Sequence, residues 1–303
     1  MRTIWLASYP KSGNTWMRVL LANLTADGDQ AVDINRLPGG IASARGPFDR
    51  LTLIDSSLLS HAEIDALRPR VHAAQAAGDV AGDDDDEERD ADLPVRFVKV
   101  HDAYLHAPGG EPLLAGARAA AGAIVVVRDP RDVAPSLANH SRFGIDEAIA
   151  FMNDAGACFS GRTDRAHLQL RQRLLTWSAH IASWLSQTDI PVHLVRYEDL
   201  QADTERVLRD ALVFAQHEAS AAQIARAARL AGFAQLRAQE QAKGFREAPR
   251  SRPGGRFFRR GEAGAWRDEL TLEQVARIEE RHAAMMQRLG YALTGAPRLA
   301  EAG

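Results

Sequence analysis

The stretch that decides the fold lies at residues 4–16 and reads IWLASYPKSGNTW. Its first part is short and apolar and runs into turn residues, a pattern typical of a buried strand in a parallel sheet. From Trp16 to Leu24 the apolar residues follow a helical spacing instead. The stretch therefore predicts a strand, a loop and a helix in succession, with the loop at the amino end of the helix.

A loop in this position is suited to binding an anion. The first backbone N–H groups of a helix have no partner within the helix, and the helix dipole favours negative charge there. The segment from Ser12 to Trp16 would supply these donors, and Lys11 would add a full positive charge. The usual nucleotide loop, G-x-x-x-x-G-K-(S/T), has its lysine after the second glycine, whereas Lys11 precedes the only glycine, Gly13. We therefore expect a phosphate or sulfate site of a variant type.

Length and composition favour a single globular domain. The chain has 303 residues, of which 46% are hydrophobic, and its strand and helix signals alternate as in an α/β protein with a central parallel sheet flanked by helices. No apolar run reaches the length of a membrane span, and the chain enters a strand at once, so we expect a soluble, cytoplasmic protein. The single cysteine, Cys158, excludes an internal disulfide and a cysteine-cluster metal site.

The net charge of −3 conceals two segments of opposite sign. Residues 79–92 contain nine acids and one arginine, a composition that predicts a disordered surface insertion. Residues 243–267 contain eight cationic residues against Glu247 and Glu262, which indicates a clamp for a polyanion. We expect its part from residue 243 to residue 264 to be a mobile loop that closes over a bound phosphate.

Three further strands are predicted, at residues 95–101, 122–128 and 191–200. Ligands of open parallel sheets bind at the carboxyl ends of the strands, where Lys11, His101 and Arg128 would meet. Helices are expected at residues 58–77, with a break or kink at Pro69, and at residues 165–187, 220–241 and 271–289.

Three separated motifs occur in the chain: residues 9–16, YPKSGNTW, residues 127–136, VRDPRDVAPS, and residues 259–267, RRGEAGAWR. They resemble motifs of the cytosolic-type sulfotransferases that use 3′-phosphoadenosine 5′-phosphosulfate (PAPS), especially their bacterial members. The first resembles the family's 5′-phosphosulfate loop Y-P-K-(S/A)-G-(T/N)-T-W, the second its 3′-phosphate segment, and the third its signature R-K-G-x-x-G-x-W-K. The order and spacing of these motifs cover nearly the whole chain. The resemblance implies one domain over residues 1–303, related to the P-loop nucleotide kinases in fold.

The resemblance also implies catalytic roles. Lys11 would neutralise the charge that develops on the oxygen between phosphate and sulfate. Residues 98–101, VKVH, resemble the K-T-H segment of the family, so His101 would be the general base and Lys99 would help to hold the sulfuryl oxygens. Ser136 completes the implied catalytic set of Lys11, Lys99, His101 and Ser136.

The implied binding residues for PAPS divide among its three parts. The loop would hold the 5′-phosphosulfate, arginines and Ser136 would hold the 3′-phosphate, and aromatic side chains would contact adenine. The full set is Lys11, Ser12, Gly13, Asn14, Thr15, Trp16, Arg128, Ser136, Tyr197, Phe233, Arg259, Arg260 and Gly261.

These residues predict transfer of a sulfuryl group from PAPS to a hydroxyl or amine of a small-molecule acceptor by in-line displacement. The product nucleotide would be 3′-phosphoadenosine 5′-phosphate (PAP), and neither a metal nor a nucleic-acid partner is expected. The acceptor, whether a phenol, a sugar, a lipid or a secondary metabolite, stays open. So does the oligomeric state, because the family's dimer segment K-x-x-x-T-V-x-x-x-E has Ala276 in place of its closing acid.

Two alternatives were weighed against this interpretation. A P-loop kinase or hydrolase would need a magnesium-binding acid and the glycine-rich loop, and the sequence has neither pattern. A non-catalytic protein that binds nucleotides or nucleic acid through residues 243–267 would not need a histidine at the end of a strand.

Overall fold

The computed structural model describes residues 2–26, 28–78, 95–142, 144–162, 167–248 and 256–295. The acidic insertion predicted at residues 79–92 lies outside these ranges, as do residues 249–255 of the predicted mobile loop. The strands are β1 (Arg2–Ala7), β2 (Val95–Val100), β3 (Gly122–Val127), β4 (Cys158–Phe159), β5 (Gln172–Arg173) and β6 (Val192–Arg196). Four of them form a parallel sheet in the order β2-β1-β3-β6, and β4 pairs with β5 in an antiparallel ladder.

Helices cover both faces of the sheet. They are α1 (Asn14–Thr25), α2 (Arg45–Thr52), α3 (His61–Ala77), α4 (Pro130–Ser141), α5 (Ile145–Asn153), α6 (Trp177–Ser186), α7 (Tyr197–Ala202), α8 (Thr204–Ala215), α9 (Ala221–Leu230), α10 (Phe233–Lys243) and α11 (Leu272–Arg288). Short 3-10 turns occur at Ser56–Leu58, Gly116–Arg118 and Ala265–Asp268. Among the helices described, none is long and apolar enough to span a membrane.

The central strands alternate between two apolar cores, as the period of two in a strand requires. Ile4 and Leu6 pack into the core shared with α1, α8 and α9. Trp5 and Ala7 point to the opposite core, shared with α4, α5, α6 and α11. Because both faces are covered, β1 and β3 are almost wholly apolar, which confirms the predicted α/β class with a buried parallel sheet.

The parallel arrangement brings four carboxyl ends to one edge of the sheet. The loop before α1 follows β1, His101 follows β2, Arg128 follows β3 and Tyr197 follows β6. Helix α4 begins at Pro130, and the Asp129 carboxylate accepts a hydrogen bond from the backbone of Arg131.

Three helix predictions are wrong in detail. The helix predicted at residues 165–187 is confined to α6, because Gln172 and Arg173 pair with β4 instead and Thr176 caps the helix. Pro69 does not break α3, which continues to Ala77. The helix predicted at residues 220–241 divides into α9 and α10 at Gly232. Tertiary packing overrides local preference in each place.

A buried ion pair fastens α3 to the end of β2. Arg68 donates to both carboxylate oxygens of Asp102, at 3.1 and 2.7 Å, and both side chains are at most 1% exposed. Asp102 also accepts a hydrogen bond of 2.9 Å from the backbone N–H of Arg173. This contact fixes the residue that follows His101.

We predict that Asp102→Ala lowers the free energy of unfolding by about 3–5 kcal/mol, because the buried Arg68 would lose both of its short hydrogen bonds to Asp102 and keep as a counter-charge the longer contact of 3.8 Å with Asp65. Urea denaturation measures the loss. The matched control is Glu111→Ala, which removes an exposed ion pair with Arg118 and should cost at most about 1 kcal/mol. Equal losses of unfolding free energy in the two variants would show that the buried pair of Arg68 and Asp102 stabilises the fold no more than an exposed pair does.

Candidate active site

A cavity of about 480 Å³ opens at the carboxyl edge of the sheet. Every site residue predicted from the sequence except Ser12 lines it: Lys11, Gly13, Asn14, Thr15, Trp16, Lys99, His101, Arg128, Ser136, Tyr197, Phe233, Arg259, Arg260 and Gly261. Ser12 is fully buried, and its hydroxyl has no hydrogen-bond partner within the part of the chain that the structure describes. The structure thus brings residues from distant parts of the chain to one place.

The loop after β1 needs its glycine. Gly13 has a φ of +105°, and a Cβ atom at this position would lie 2.6 Å from Cδ2 of Tyr197. The first hydrogen bond of α1 runs from Met17 N–H to the Gly13 carbonyl, so the N–H groups from Asn14 to Trp16 have no partner within the helix. The Asn14 side chain donates to the Leu6 carbonyl at 2.7 Å and ties the loop to its strand. These features make the amino end of α1 a site for an anion.

Lys11 lies beside an aromatic ring and near other cations. Its Nζ is 3.6 Å from the centroid of the Phe257 ring. Burial, together with the positive charges of Lys99 and Arg128, lowers the pKa of Lys11 to about 7, against the opposing effect of Glu247. The ammonium is therefore only partly charged at neutral pH, and an anion beside it would favour its protonated form.

His101 is held in one tautomer. Its Nδ1 lies 2.8 Å from the Ser8 carbonyl, which can only accept, and 3.3 Å from the Ser8 hydroxyl. Nδ1 must therefore carry the proton, and Nε2 keeps its lone pair. Burial and the nearby charge of Lys99 lower the pKa of His101 to about 3, so the ring is neutral at physiological pH.

Lys99 forms a buried ion pair that the sequence does not predict. Its Nζ lies 2.9 Å from Oε2 of Glu247, a residue on the segment after α10. Burial lowers the pKa of Lys99, while Glu247 acts in the opposite direction. The same carboxylate also accepts hydrogen bonds from Thr15 and Arg18.

The predicted 3′-phosphate arginines also have partners within the chain. Arg128 Nη2 donates to the Glu262 carbonyl at 2.9 Å, and its guanidinium lies 4.3 Å from the centroid of the Tyr197 ring. Arg259 pairs with Glu269 at 2.6 Å, and Arg260 contacts Asp268 at 3.4 Å. Arg259 and Arg260 therefore each have an acidic neighbour within the described chain.

Three aromatic side chains, Trp16, Tyr197 and Phe233, form one wall of the cavity, which we call the aromatic wall. The Trp16 and Tyr197 rings are 5.6 Å apart in an edge-to-face arrangement, and the Tyr197 hydroxyl donates to the Gly261 carbonyl at 2.8 Å. Gly261 has a φ of +69°, and a Cβ atom there would lie 2.3 Å from the Phe233 ring. Any other residue at position 261 would therefore displace Phe233.

Sequence reasoning missed several lining residues. Asp132 accepts backbone hydrogen bonds from Gly264, at 2.6 Å, and from Trp266, at 2.9 Å, so it anchors the third motif to α4. Its position within the second motif was the only signal for this role. For Glu247, the only signal in the sequence was that it is one of two acidic residues in the cationic segment 243–267. The described residues contain no group of three or more His, Cys, Asp or Glu that could hold a metal ion.

A family model for the sulfotransferase domain matches residues 1–290. The chain belongs to the sulfotransferase family. No curated protein matches the sequence.

Solved structures share the fold of this sulfotransferase. Mouse sulfotransferase SULT7A1, complexed with PAP, is 17% identical, with a TM-score of 0.56 over 94% of this chain and 84% of that one. Retinol dehydratase, in complex with androsterone and the inactive cofactor PAP, is 19% identical, with a TM-score of 0.56 over 95% of this chain and 82% of that one. A second structure of retinol dehydratase, with retinol and PAP, gives the same values. At this identity the likeness concerns the fold.

We predict that Lys11 titrates near pH 7, well below the ordinary lysine value of about 10.4. The sulfotransferase has only three lysines, Lys11, Lys99 and Lys243. Reductive methylation with ¹³C-formaldehyde followed by NMR therefore gives few resonances, and Lys11→Arg assigns the one that disappears. A midpoint near 10 for that resonance would contradict the prediction.

Proposed function

We propose that this sulfotransferase moves a sulfuryl group from PAPS to a hydroxyl, or an amine, of a small-molecule acceptor, with His101 as the general base. The observation that carries the proposal is the 2.8 Å hydrogen bond between His101 Nδ1 and the Ser8 carbonyl. It leaves Nε2 able to accept a proton, in a ring that lines the same cavity as Lys11 and Lys99.

The loop residues fit the 5′-phosphosulfate of the nucleotide. The free N–H groups at the start of α1, the buried Ser12 hydroxyl without a partner and the Lys11 ammonium are all donors that suit an anion. The solved relatives of the same fold hold PAP, which supports this assignment. We assign the 5′ end of the nucleotide to this loop.

The other two parts of the nucleotide have candidates elsewhere in the cavity lining. Arg128, Arg259 and Arg260 line the cavity together with Ser136, and guanidinium groups pair well with phosphate oxygens. Trp16, Tyr197 and Phe233 would supply aromatic faces for adenine. We assign the 3′-phosphate to the arginines and Ser136, and the base to the aromatic wall.

The chemistry follows from these positions. PAPS supplies the sulfuryl group, and the acceptor oxygen forms a bond to sulfur while the bond from sulfur to the phosphate oxygen breaks. His101 takes the proton of the acceptor hydroxyl, because its neutral ring has a free lone pair at Nε2. Lys11 neutralises the charge left on the phosphate oxygen, and Lys99 stabilises the sulfuryl oxygens. The products are a sulfated acceptor and PAP.

The rest of the cavity lining suits a ring-bearing acceptor with polar groups. It includes His140, Phe159, Gln169 and Gln172, which combine aromatic faces with amide groups. The carboxylates of the lining, such as Asp132 and Glu269, already have partners. We therefore favour a neutral hydroxyl compound over a cationic amine.

The direct test is incubation of the protein with PAPS and a panel of phenols, sugars and lipid alcohols, followed by mass spectrometry for an added sulfuryl group. Reactions without PAPS are the control. Formation of PAP and of a sulfated compound in equal amounts supports the proposal. Consumption of ATP or GTP with transfer of a phosphoryl group would replace it.

We predict that His101→Ala lowers the rate of transfer by ~10²–10⁴-fold, the usual contribution of a general base. The affinity for PAP, measured by calorimetry, should hardly change, since the base serves the acceptor. His106→Ala is the matched control, because His106 is exposed on the loop that follows. Wild-type turnover of His101→Ala at saturating acceptor would show that another group is the base.

A further inference from the structure

Glu247 binds three donors that come from two separate elements. Its Oε2 accepts hydrogen bonds from Lys99 Nζ at 2.9 Å and from the Thr15 hydroxyl at 3.1 Å. Its Oε1 accepts from Arg18 Nη1 at 3.0 Å. One carboxylate, from the segment after α10, therefore joins β2 to the first turns of α1.

Two of these donors belong to the proposed phosphosulfate site. Thr15 lies in the first turn of α1, and Lys99 is assigned to the sulfuryl oxygens. Glu247 itself lines the cavity. A carboxylate held by a hydroxyl and an ammonium makes the same charge-assisted hydrogen bonds that a phosphate or sulfuryl group would make. The Thr15 hydroxyl has a single proton and cannot donate to both anions, and two anions beside the Lys99 ammonium would repel each other in this site.

The cations around Glu247 need a counter-charge. Lys99 and Arg18 are each only 7% exposed, and two buried cations without an anion would be costly. Burial alone would raise the pKa of Glu247, but Lys99 and Arg18 hold that pKa well below its ordinary range. Glu247 is therefore an ionised carboxylate among the groups that would bind the nucleotide.

We propose that Glu247 sets the affinity of this sulfotransferase for its nucleotide: it holds Lys99 and Thr15 when no nucleotide is bound, and releases them when the phosphosulfate binds. The inference rests on the proposed function, because it assumes that the nucleotide uses these donors. Arg18, which has a second contact with the Leu37 carbonyl at 3.5 Å, is the donor that Glu247 can keep. Competition of this kind weakens nucleotide binding and speeds the release of PAP.

The test is Glu247→Gln, which keeps the shape of the side chain and removes its charge. PAP lacks the sulfuryl group that is assigned to Lys99, so it reports on the donor that the 5′-phosphate would share with Glu247, the Thr15 hydroxyl. We expect PAP to bind about tenfold or more tightly, the change that follows when competition for roughly one charge-assisted hydrogen bond is relieved. The rate of PAP dissociation should fall in parallel. The melting temperature without nucleotide should drop, because Lys99 and Arg18 lose their counter-charge.

The matched control is Glu279→Gln. Glu279 pairs with the buried Arg131 at 2.7 Å and does not line the cavity. This variant should also melt at a lower temperature, but its affinity for PAP should equal that of the wild type. The comparison separates a loss of stability from a change in nucleotide binding.

Unchanged or weaker binding of PAP to Glu247→Gln would overturn the inference, because Glu247 would then stay in place in the complex. If Glu247→Gln does not fold, Glu247→Asp replaces it. Its shorter side chain keeps the charge but loosens the contacts, so a smaller gain in affinity is expected and no gain overturns the inference. Wild-type protein that binds no PAP would instead refute the proposed function, and this inference with it.

Discussion

The site depends on the neutralisation of positive charge in one cavity. Six cationic residues of the described chain line it: Lys11, Lys99, Arg128, Arg246, Arg259 and Arg260. Those shielded from water are tolerated only if they are paired or lose their proton. Lys99 has the Glu247 carboxylate and Arg259 has Glu269, while the pKa of Lys11 falls to about 7. A polyanionic nucleotide is the ligand that would take over these pairings together.

The parallel sheet explains why the cations meet. Each strand of the sheet delivers one functional segment at its carboxyl end, and the parallel register brings these ends to the same edge. Rigid strands then fix groups that are far apart in sequence, such as the loop of Lys11, His101 and Arg128. Asp132 holds the third motif (residues 259–267) at the same edge, because its carboxylate accepts hydrogen bonds from the backbone N–H groups of Gly264 and Trp266. The sheet therefore fixes the positions of the functional groups, and the loops at its carboxyl edge carry those groups.

Most of this arrangement could be predicted from short stretches of sequence. The strands are apolar runs with turn residues at their ends, and the loop of Gly13 has a local requirement for glycine, so local patterns suffice for both. The helix predicted at residues 165–187 failed because Gln172 and Arg173 pair with β4, a strand contact that the helical spacing of apolar residues does not report. The role of Glu247 could not be predicted either, since its three partners lie more than a hundred residues away in sequence.

We propose that one nucleotide spans the strand ends, with its 5′-phosphate at the start of α1. A crystal structure of the protein with PAP tests this placement. The account predicts the 5′-phosphate within hydrogen-bond distance of the N–H groups from Asn14 to Trp16, and the 3′-phosphate against Arg128 and Arg259. A nucleotide bound outside this cavity, or with its phosphates exchanged between the two ends, would contradict the account.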